Sequence, residues 1–396
     1  MEKRRIALVG GGPACLIAAL HLGETFHVDL YEKEKSIGRK FLVAGNGGFN
    51  LTNSANGDEL LAAYSADANL KNAIANFDSL AVRAWLKSMG VPTFVGSSGR
   101  VFPEKGIKPA QVLKKIKDQL TGRGVQIHLN HSFIGFDSDG KPVVNNGTSE
   151  VSIVADAYIF GLGGGSWSKT GANSQWLAHF KKQGLDVLPF ESANCGVQIN
   201  WSQGVKAVNG TPLKNIAVTL GKKTVKGEAV LTAYGLEGNV IYPIASAARE
   251  EIKTRGFADL WVDFKPNNSV ANLVTKVKGK AVKPKNYGYL FNLSKADLKI
   301  IKDALDKETY LNPEAFATQL KALHLKVVDI QPVEEAISTV GGIALNEVTA
   351  DFELVKQPNT FVIGEMLNWD APTGGFLLQG CFSMGVAVAK AIQRRF

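Results

Sequence analysis

The first 32 residues of the chain constrain its fold more than any other segment. An apolar run, Ile6–Val9, leads into three glycines, Gly10–Gly12, and a helix-like pattern follows from Pro13. A second apolar segment ends in the acid Glu32. A strand, a glycine turn, a helix and a second strand ending in an acid about 20 residues beyond the turn form the βαβ unit that binds dinucleotides. The sequence therefore predicts a Rossmann-like α/β fold.

Each residue type in this turn has a physical reason. Gly10 allows the tight turn out of the strand, and Gly12 lets the backbone approach a pyrophosphate at the positive end of the following helix. Glu32 is the predicted partner of the ribose hydroxyls. Cys15 stands where the pattern has its third glycine, which normally permits close packing of helix and strand. A glycine-rich turn without a ligand is the alternative.

A second glycine-rich segment, Gly38–Asn53, follows the predicted ribose acid. Its backbone amides are free to meet phosphate or a ring. Arg39 and Lys40 add positive charge, and Thr52 adds a hydrogen-bonding side chain. A flexible loop is the alternative interpretation.

A third segment near the C-terminus carries Gly364 and Glu365 after an apolar strand, and then Thr373–Gly375 before a final helix. This order directs a helix N-terminus at a group that gains negative charge, and a reduced flavin is such a group.

Composition limits the class of protein. The 396 residues are 45% hydrophobic and 20% charged, which is typical of a soluble globular chain of two or three domains. No apolar run approaches the roughly 20 residues that span a bilayer, and we expect no signal peptide. Three widely spaced cysteines indicate neither a disulfide framework nor a zinc site, and no metal site is predicted. These features favour a cytoplasmic protein.

The pattern of the chain changes near residue 190. Short alternating segments over about 191–245 and 326–344 predict a small β-barrel, and 246–325 are predicted to be helical. Residues 191–344 would then be an insertion between 1–190 and 345–396, which together form a discontinuous cofactor-binding domain. Thr360–Ile363 is predicted to join the same sheet as the first strand.

The charge of the chain is uneven. The formal net charge is +9, and residues 191–330 contain 20 Lys and Arg against 13 Asp and Glu. Five lysines, Lys276, Lys278, Lys280, Lys283 and Lys285, lie beside Tyr287 and Tyr289. Such a segment can track phosphates and stack bases, as RNA binding requires, or it can be a solvated face of the protein.

Together the three segments resemble one family. The stretches GRKFLVAGNGGFNLTNS (residues 38–54) and GEMLNWDAPTGGFLLQG (364–380), with Gly99–Pro103 and Gly161–Trp167, resemble the HI0933-like flavoproteins, also called the BaiN or YhiN type. The resemblance is greatest to the PP_4765-type branch and extends along nearly the whole chain.

The resemblance implies bound FAD and a two-part insertion. The ADP half of FAD would contact Gly10, Gly12, Pro13, Ala14, Glu32 and Lys33. The pyrophosphate, the ribityl chain and the flavin ring would lie along Arg39, Lys40, Gly45, Asn46, Gly47, Gly48, Asn50 and Thr52. The site would be closed by Gly364, Glu365, Thr373, Gly374 and Gly375. Asn368, Phe376 and Leu377 differ from the family pattern near the expected position of the flavin ring. The resemblance therefore does not identify the substrate.

The family resemblance also implies a reaction. We expect hydride transfer from flavin N5 to an activated C=C bond of an unidentified substrate, with a proton donor that the sequence does not identify. The sequence has no second G-x-G-x-x-G, so NAD(P)H would dock transiently at the flavin. Arg100 is the predicted substrate contact, with a structural ion pair as its alternative. Two other functions stay open, namely reduction of a base in RNA and non-catalytic redox sensing by a bound flavin.

Overall fold

A computed structural model describes residues 3–43, 49–64, 68–167, 171–172 and 174–396. The strands are β1 (Arg5–Val9), β2 (His27–Glu32), β3 (Thr52–Asn53), β4 (Thr93–Val95), β5 (Arg100–Pro103), β6 (Gln126–Leu129), β7 (Ser132–Phe136), β8 (Pro142–Asn145), β9 (Glu150–Ser152), β10 (Ala157–Phe160), β11 (Val187–Ala193), β12 (Val197–Ile199), β13 (Pro212–Leu220), β14 (Lys223–Leu231), β15 (Gly235–Glu237), β16 (Ala258–Asp263), β17 (Leu323–Ile330), β18 (Ser338–Ile343) and β19 (Thr360–Val362). The helices are α1 (Pro13–Leu22), α2 (Arg39–Val43), α3 (Gly57–Ala62), α4 (Ala68–Asn76), α5 (Ser79–Ser88), α6 (Pro109–Gly122), α7 (Gln175–Lys182), α8 (Gln203–Lys206), α9 (Ala245–Arg255), α10 (Val270–Thr275), α11 (Tyr287–Phe291), α12 (Lys295–Ala304), α13 (Lys307–Leu311), α14 (Pro313–Gln319) and α15 (Phe376–Arg395).

The chain divides into two compact units. The first contains residues 1–191 and 339–396, and the second contains residues 192–338. The strands at the two boundaries of the second unit, β11 and β18, form a two-stranded sheet.

A five-stranded parallel sheet forms the centre of the first unit, in the order β19-β10-β1-β2-β6. Residues Ile6–Val9 are at most 1% exposed, as expected for a parallel strand covered on both faces. The returning strand β19 pairs with β10, so residues from both ends of the chain share one sheet. Small antiparallel sheets, β3-β5-β4 and β7-β8-β9, complete this unit.

Helix α15 packs against α1 with little space between the backbones. A Cβ built on Gly385 would lie 2.3 Å from the carbonyl oxygen of Ala14, so only glycine fits at this contact. Among the described residues, α15 is long and apolar enough to cross a membrane, yet 67% of its most apolar stretch is buried. Such burial is what a core helix shows.

The second unit contains a closed barrel in the order β12-β15-β14-β13-β16-β17. Its strand β16 lies inside the stretch 246–325 that was predicted to be helical. Ala258, Leu260 and Val262 are buried while Trp261 between them is 44% exposed, which is the two-residue period of a strand. Strand β18, predicted to be in the barrel, pairs with β11 instead. The predicted α/β class with a small β-barrel is confirmed.

Candidate functional site

The glycine turn between β1 and α1 has two different kinds of glycine. Gly10 has φ +111°, and a Cβ there would lie 2.4 Å from the carbonyl oxygen of Gly161. Gly12 is the N-cap of α1, and the nearest atom to a Cβ there is the same oxygen at 3.8 Å. Gly10 is therefore required by the fold, whereas Gly12 keeps the space in front of the helix open.

The N-terminus of α1 has the features of an anion site. Gly12 provides no side-chain cap, and the first turn contains no acidic residue. The free amides of this turn are therefore not capped by a side chain of the helix and can donate to a ligand. A phosphate group is the ligand that such a helix end binds best.

The Glu32 carboxylate lies beside this turn. Its Oε2 accepts a hydrogen bond from the amide of Gly11 at 2.7 Å, and its Oε1 accepts one from the amide of Glu34 at 2.9 Å. Burial raises the pKa of Glu32, against the opposing effect of these two amides, and burial lowers the pKa of neighbouring Lys33. Each carboxylate oxygen has a second lone pair with which it can accept a hydrogen bond from a hydroxyl group.

A cleft of about 250 Å³ joins the glycine turn to the C-terminal segment. Ten of the predicted cofactor contacts line it: Gly10, Gly12, Pro13, Ala14, Glu32, Lys33, Arg39, Lys40, Gly364 and Glu365. The remaining lining includes Gly161–Gly164, His131–Ile134 and Trp176. All of these residues belong to the first unit.

Helix α2, in the segment Gly38–Asn53, contacts the C-terminal segment through the side chain of Lys40. The ammonium of Lys40 donates to Ser166 Oγ at 2.7 Å and to Glu365 Oε2 at 2.8 Å. Arg39 forms an ion pair with Glu34. The two cations are thus held along the cleft by acids from two distant parts of the chain.

The other predicted residues form a second group outside the lining of this cleft. Strand β3 contacts the turn before α15, where the Asn53 amide donates to the carbonyl oxygen of Gly374 at 3.1 Å. A Cβ on Gly375 would lie 2.2 Å from the Thr52 carbonyl oxygen, and one on Gly374 would lie 3.5 Å from Arg100 Nε. The Thr52 hydroxyl donates a hydrogen bond to Gln379 Oε1.

Asn50 and Thr373 are half-buried beside these elements, each with a partner within the protein. Gly45, Asn46, Gly47 and Gly48 lie outside the described residues.

Two cysteines lie close to the cleft, and neither is suited to act as a nucleophile. Cys381 lines the cleft, and Cys15 is in the first turn of α1. Burial is the main cause that raises the pKa of both thiols, so they stay protonated at neutral pH.

Several lining residues were missed or differently interpreted from the sequence. His131, which lies at the cleft before β7, was not identified as a site residue from the sequence. Trp176 was not singled out. The residue is 3% exposed, and its buried Nε1 has no hydrogen-bond partner among the described residues. The glycine run Gly161–Gly165 directly after β10 was the signal that a second turn borders the site.

These observations provide a test of whether the residues fit a dinucleotide. The site offers an open helix N-terminus at Gly12, an acid at Glu32, and cations at Arg39 and Lys40. Phosphate oxygens, ribose hydroxyls and ring acceptors are the groups that such donors and acceptors match. The residues present therefore fit FAD.

The fold and cleft define a protein with a Rossmann-type FAD-binding fold. The chain belongs to the HI0933-like family, since that family's Rossmann-domain profile matches residues 4–391. The predicted family is thereby confirmed, while the PP_4765-type branch stays a prediction.

Two relatives match over nearly their whole length. The chain is 23% identical over 412 residues to a 3-dehydro-bile acid delta(4,6)-reductase from Clostridium scindens, with 99% of each protein covered. It is 21% identical over 410 residues to a ribosomal RNA dihydrouridine synthase from Haemophilus influenzae, with 98% of each covered.

Solved flavoenzyme structures share the fold. The 3-ketosteroid delta1-dehydrogenase of Sterolibacterium denitrificans superimposes with a TM-score of 0.55 at 12% identity, covering 100% of both chains. The open form of a flavocytochrome c3 fumarate reductase gives 0.52 at 15% identity, covering 99% of this chain and 78% of the other.

Proposed function

We propose that the protein is an FAD-dependent reductase that adds hydride to an activated C=C bond, with NAD(P)H as its reductant. The observation that carries this proposal is the cleft in which the open N-terminus of α1, the Glu32 carboxylate and the Lys40–Glu365 pair come together. Bound FAD supplies hydride transfer at its N5 atom.

The residues of the chain bind and orient the cofactor. The α1 amides receive the pyrophosphate, and Glu32 accepts the ribose hydroxyls. Lys40 is held by Ser166 and Glu365, so its charge is fixed in position along the cleft. A fixed charge needs no reorganisation when the charge of the cofactor changes.

The substrate class is supported by the relatives. The Clostridium scindens relative is a reductase of an unsaturated bile acid, and one fold neighbour was solved with a steroid dienone. We therefore propose an enone or a similarly activated alkene as substrate. Arg100, beside Gly374, would contact its carbonyl or anionic group. A cytoplasmic location also stays a prediction.

An anaerobic two-step experiment tests the proposal. FAD-loaded protein is mixed with NADH or NADPH, and loss of the visible absorbance of the oxidised flavin is followed. The reduced protein is then mixed with a panel of steroidal and bile-acid enones. We expect one of the two nicotinamide cofactors to bleach the flavin and an enone to reoxidise it. The product should contain two more hydrogen atoms than the enone. Failure of both steps would leave a flavin-binding redox sensor as the better account.

Reduction of a base in RNA is the second candidate. Its support is the excess of 20 Lys and Arg over 13 Asp and Glu in residues 191–330, together with the ribosomal RNA relative. One predicted contact is wrong, because Tyr287 is fully buried and stacks on Phe316 at 4.0 Å. Tyr289, which is 94% exposed, is available to stack on a base.

A charge reversal distinguishes this candidate from a solvated surface. Lys278, Lys280 and Lys283 are exposed and would be changed to Glu together. The matched control reverses Lys87, Lys105 and Lys117, which are exposed and lie outside residues 191–330. RNA recognition through the first set predicts weaker binding and a shallower salt dependence only in the first variant. Equal RNA binding by the two variants refutes it.

A further inference from the structure

One face of the small sheet β3-β5-β4 carries two aromatic rings that are partly exposed to solvent. Phe94 and Phe102 are cross-strand partners, and their rings stack with centroids 5.7 Å apart and an angle of 28° between the planes. Phe94 is 41% exposed, and Phe102 is half-buried. Because burial of an aromatic ring is strongly favourable, a stacked pair left in water is an apolar surface available to a ligand.

Arg100 lies on the same face of this sheet as the aromatic pair. Side chains two residues apart on a strand point to the same side, so Arg100 and Phe102 are neighbours on β5, about 7 Å apart along the strand. Val101 between them is fully buried on the opposite side. Arg100 has a partner within the protein, and the five N–H donors of a guanidinium allow it to bind a second acceptor as well. The face therefore combines hydrogen-bond donors with an apolar platform.

This face lies next to the end of the cleft where the flavin ring would lie. Glu32 marks the adenosine end of the cleft, so the flavin end is the one lined by Glu365 and Cys381. Cys381 belongs to α15, about 8 Å along the helix from its first residue. The turn before that first residue contacts the sheet, since a Cβ on Gly374 would lie 3.5 Å from Arg100 Nε. All of these residues belong to the first unit.

We propose that Phe94 and Phe102 bind the apolar body of the substrate while Arg100 holds its carbonyl oxygen, so that the protein selects ketones and enones with a flat body of more than one ring. The inference rests on the proposed function and assigns the part of the substrate that does not react. Because the aromatic pair begins about 7 Å from Arg100, a single six-membered ring bound at Arg100 leaves the pair largely uncovered. A body of fused rings extends over both phenylalanines and buries them.

Equilibrium binding of saturated ketones tests the proposal without turnover. FAD-loaded wild type, Phe94→Ala and the control Val95→Ala are titrated with the four-ring ketone androstanedione by calorimetry, and the affinity for cyclohexanone is obtained by competition against this steroid. Val95 is 43% exposed and faces the other side of the same strand. Phe94→Ala should weaken androstanedione roughly tenfold and leave cyclohexanone unchanged. Val95→Ala should bind both ketones as the wild type does.

Variants of Arg100 separate the carbonyl contact from the apolar contact. Arg100→Met removes the donors and should weaken androstanedione and cyclohexanone by the same factor, roughly tenfold, since both ketones offer one carbonyl oxygen to this position. Arg100→Lys keeps a cationic donor and should lose less. The FAD content of each variant is measured first, so that a loss of ketone binding is not a loss of cofactor.

Three results would overturn the inference: no binding of androstanedione to the FAD-loaded wild type, equal weakening of both ketones in Phe94→Ala, or the same loss in Val95→Ala. Failure of the proposed function has a different signature, because saturated ketones have no C=C bond to reduce. A protein that shows the predicted binding pattern but whose reduced flavin no enone reoxidises would contradict the proposed function and support the ketone-binding face.

Discussion

The sulfur of Cys15 occupies the space that a side chain at Gly161 would need. A Cβ built on Gly161 would lie 2.5 Å from Cys15 Sγ but 3.7 Å from Cys15 Cβ. A larger residue, Cys15, thus stands at the third glycine position of the turn. The space for its sulfur is available because the residue that follows β10, Gly161, has no side chain. Helix α1 and the sheet keep their close packing through this exchange.

This relationship predicts a coupling between the two positions. Gly161→Ala should lower the free energy of unfolding by about 1–3 kcal/mol, because the new methyl overlaps the sulfur. Cys15→Ala removes the sulfur and leaves a Cβ at an ordinary contact distance, so the double variant should be more stable than Gly161→Ala alone. Urea unfolding of flavin-free protein measures both. Strict additivity of the two changes would show that the atoms do not meet.

The two glycines of the turn should respond oppositely to alanine. Gly10→Ala places a Cβ 2.4 Å from a carbonyl oxygen at a positive φ, so it should destabilise the flavin-free protein. Gly12→Ala meets nothing closer than 3.8 Å and should leave that stability nearly unchanged. Its methyl nevertheless enters the space of the pyrophosphate, and FAD affinity should fall at least about tenfold. Unchanged affinity in Gly12→Ala would place the pyrophosphate elsewhere.

Glu32 should contribute to the affinity for FAD through the ribose. Glu32→Ala removes a charge-assisted hydrogen bond of about 1.5–3 kcal/mol and should weaken FAD roughly ten- to hundredfold. Glu32→Gln keeps one oxygen acceptor and should lose less. Glu24→Ala, an exposed acid, is the control. The ranking Ala, Gln, wild type in order of increasing affinity is the expected result, and equal affinities contradict the ribose contact.

The Lys40–Glu365 pair should be worth more than a surface ion pair. The Glu365 side chain is 13% exposed, so Lys40→Met leaves a mostly buried carboxylate without its cation. We expect a loss of about 1–3 kcal/mol of unfolding free energy, partly recovered when Glu365→Gln is added. Lys114→Met, whose partner Asp118 is 59% exposed, should cost no more than about 0.5 kcal/mol. Similar losses in the two lysine variants would refute the difference.

The sequence predicted those parts of the site whose chemistry depends on local geometry. The residues Gly10, Gly12 and Glu32 belong to one βαβ unit, in which spacing along the chain fixes spacing in the fold. The glycine of positive φ, Gly10, and the acid at the end of β2 can each be inferred from a few neighbouring residues. The barrel strand β16 was missed because its six residues lie between helical stretches, although their alternation was visible.

Long-range contacts could not be inferred in the same way. Lys40 meets Glu365 across most of the chain length, and Trp176 reaches the cleft only because α7 packs beside β7. Nothing local marks these side chains as belonging to a site. The grouping of Thr52, Arg100 and Gly374 also follows from the pairing of β3 with β5 and not from any motif.

The central claim is tested most directly by titrating flavin-free protein with FAD and recording the absorbance spectrum of the complex after gel filtration. The account predicts one FAD retained per chain, bound flavin that is yellow, and an increase in the unfolding temperature with FAD concentration. A folded protein that stays colourless, retains no FAD and unfolds at the same temperature with and without it would contradict the account.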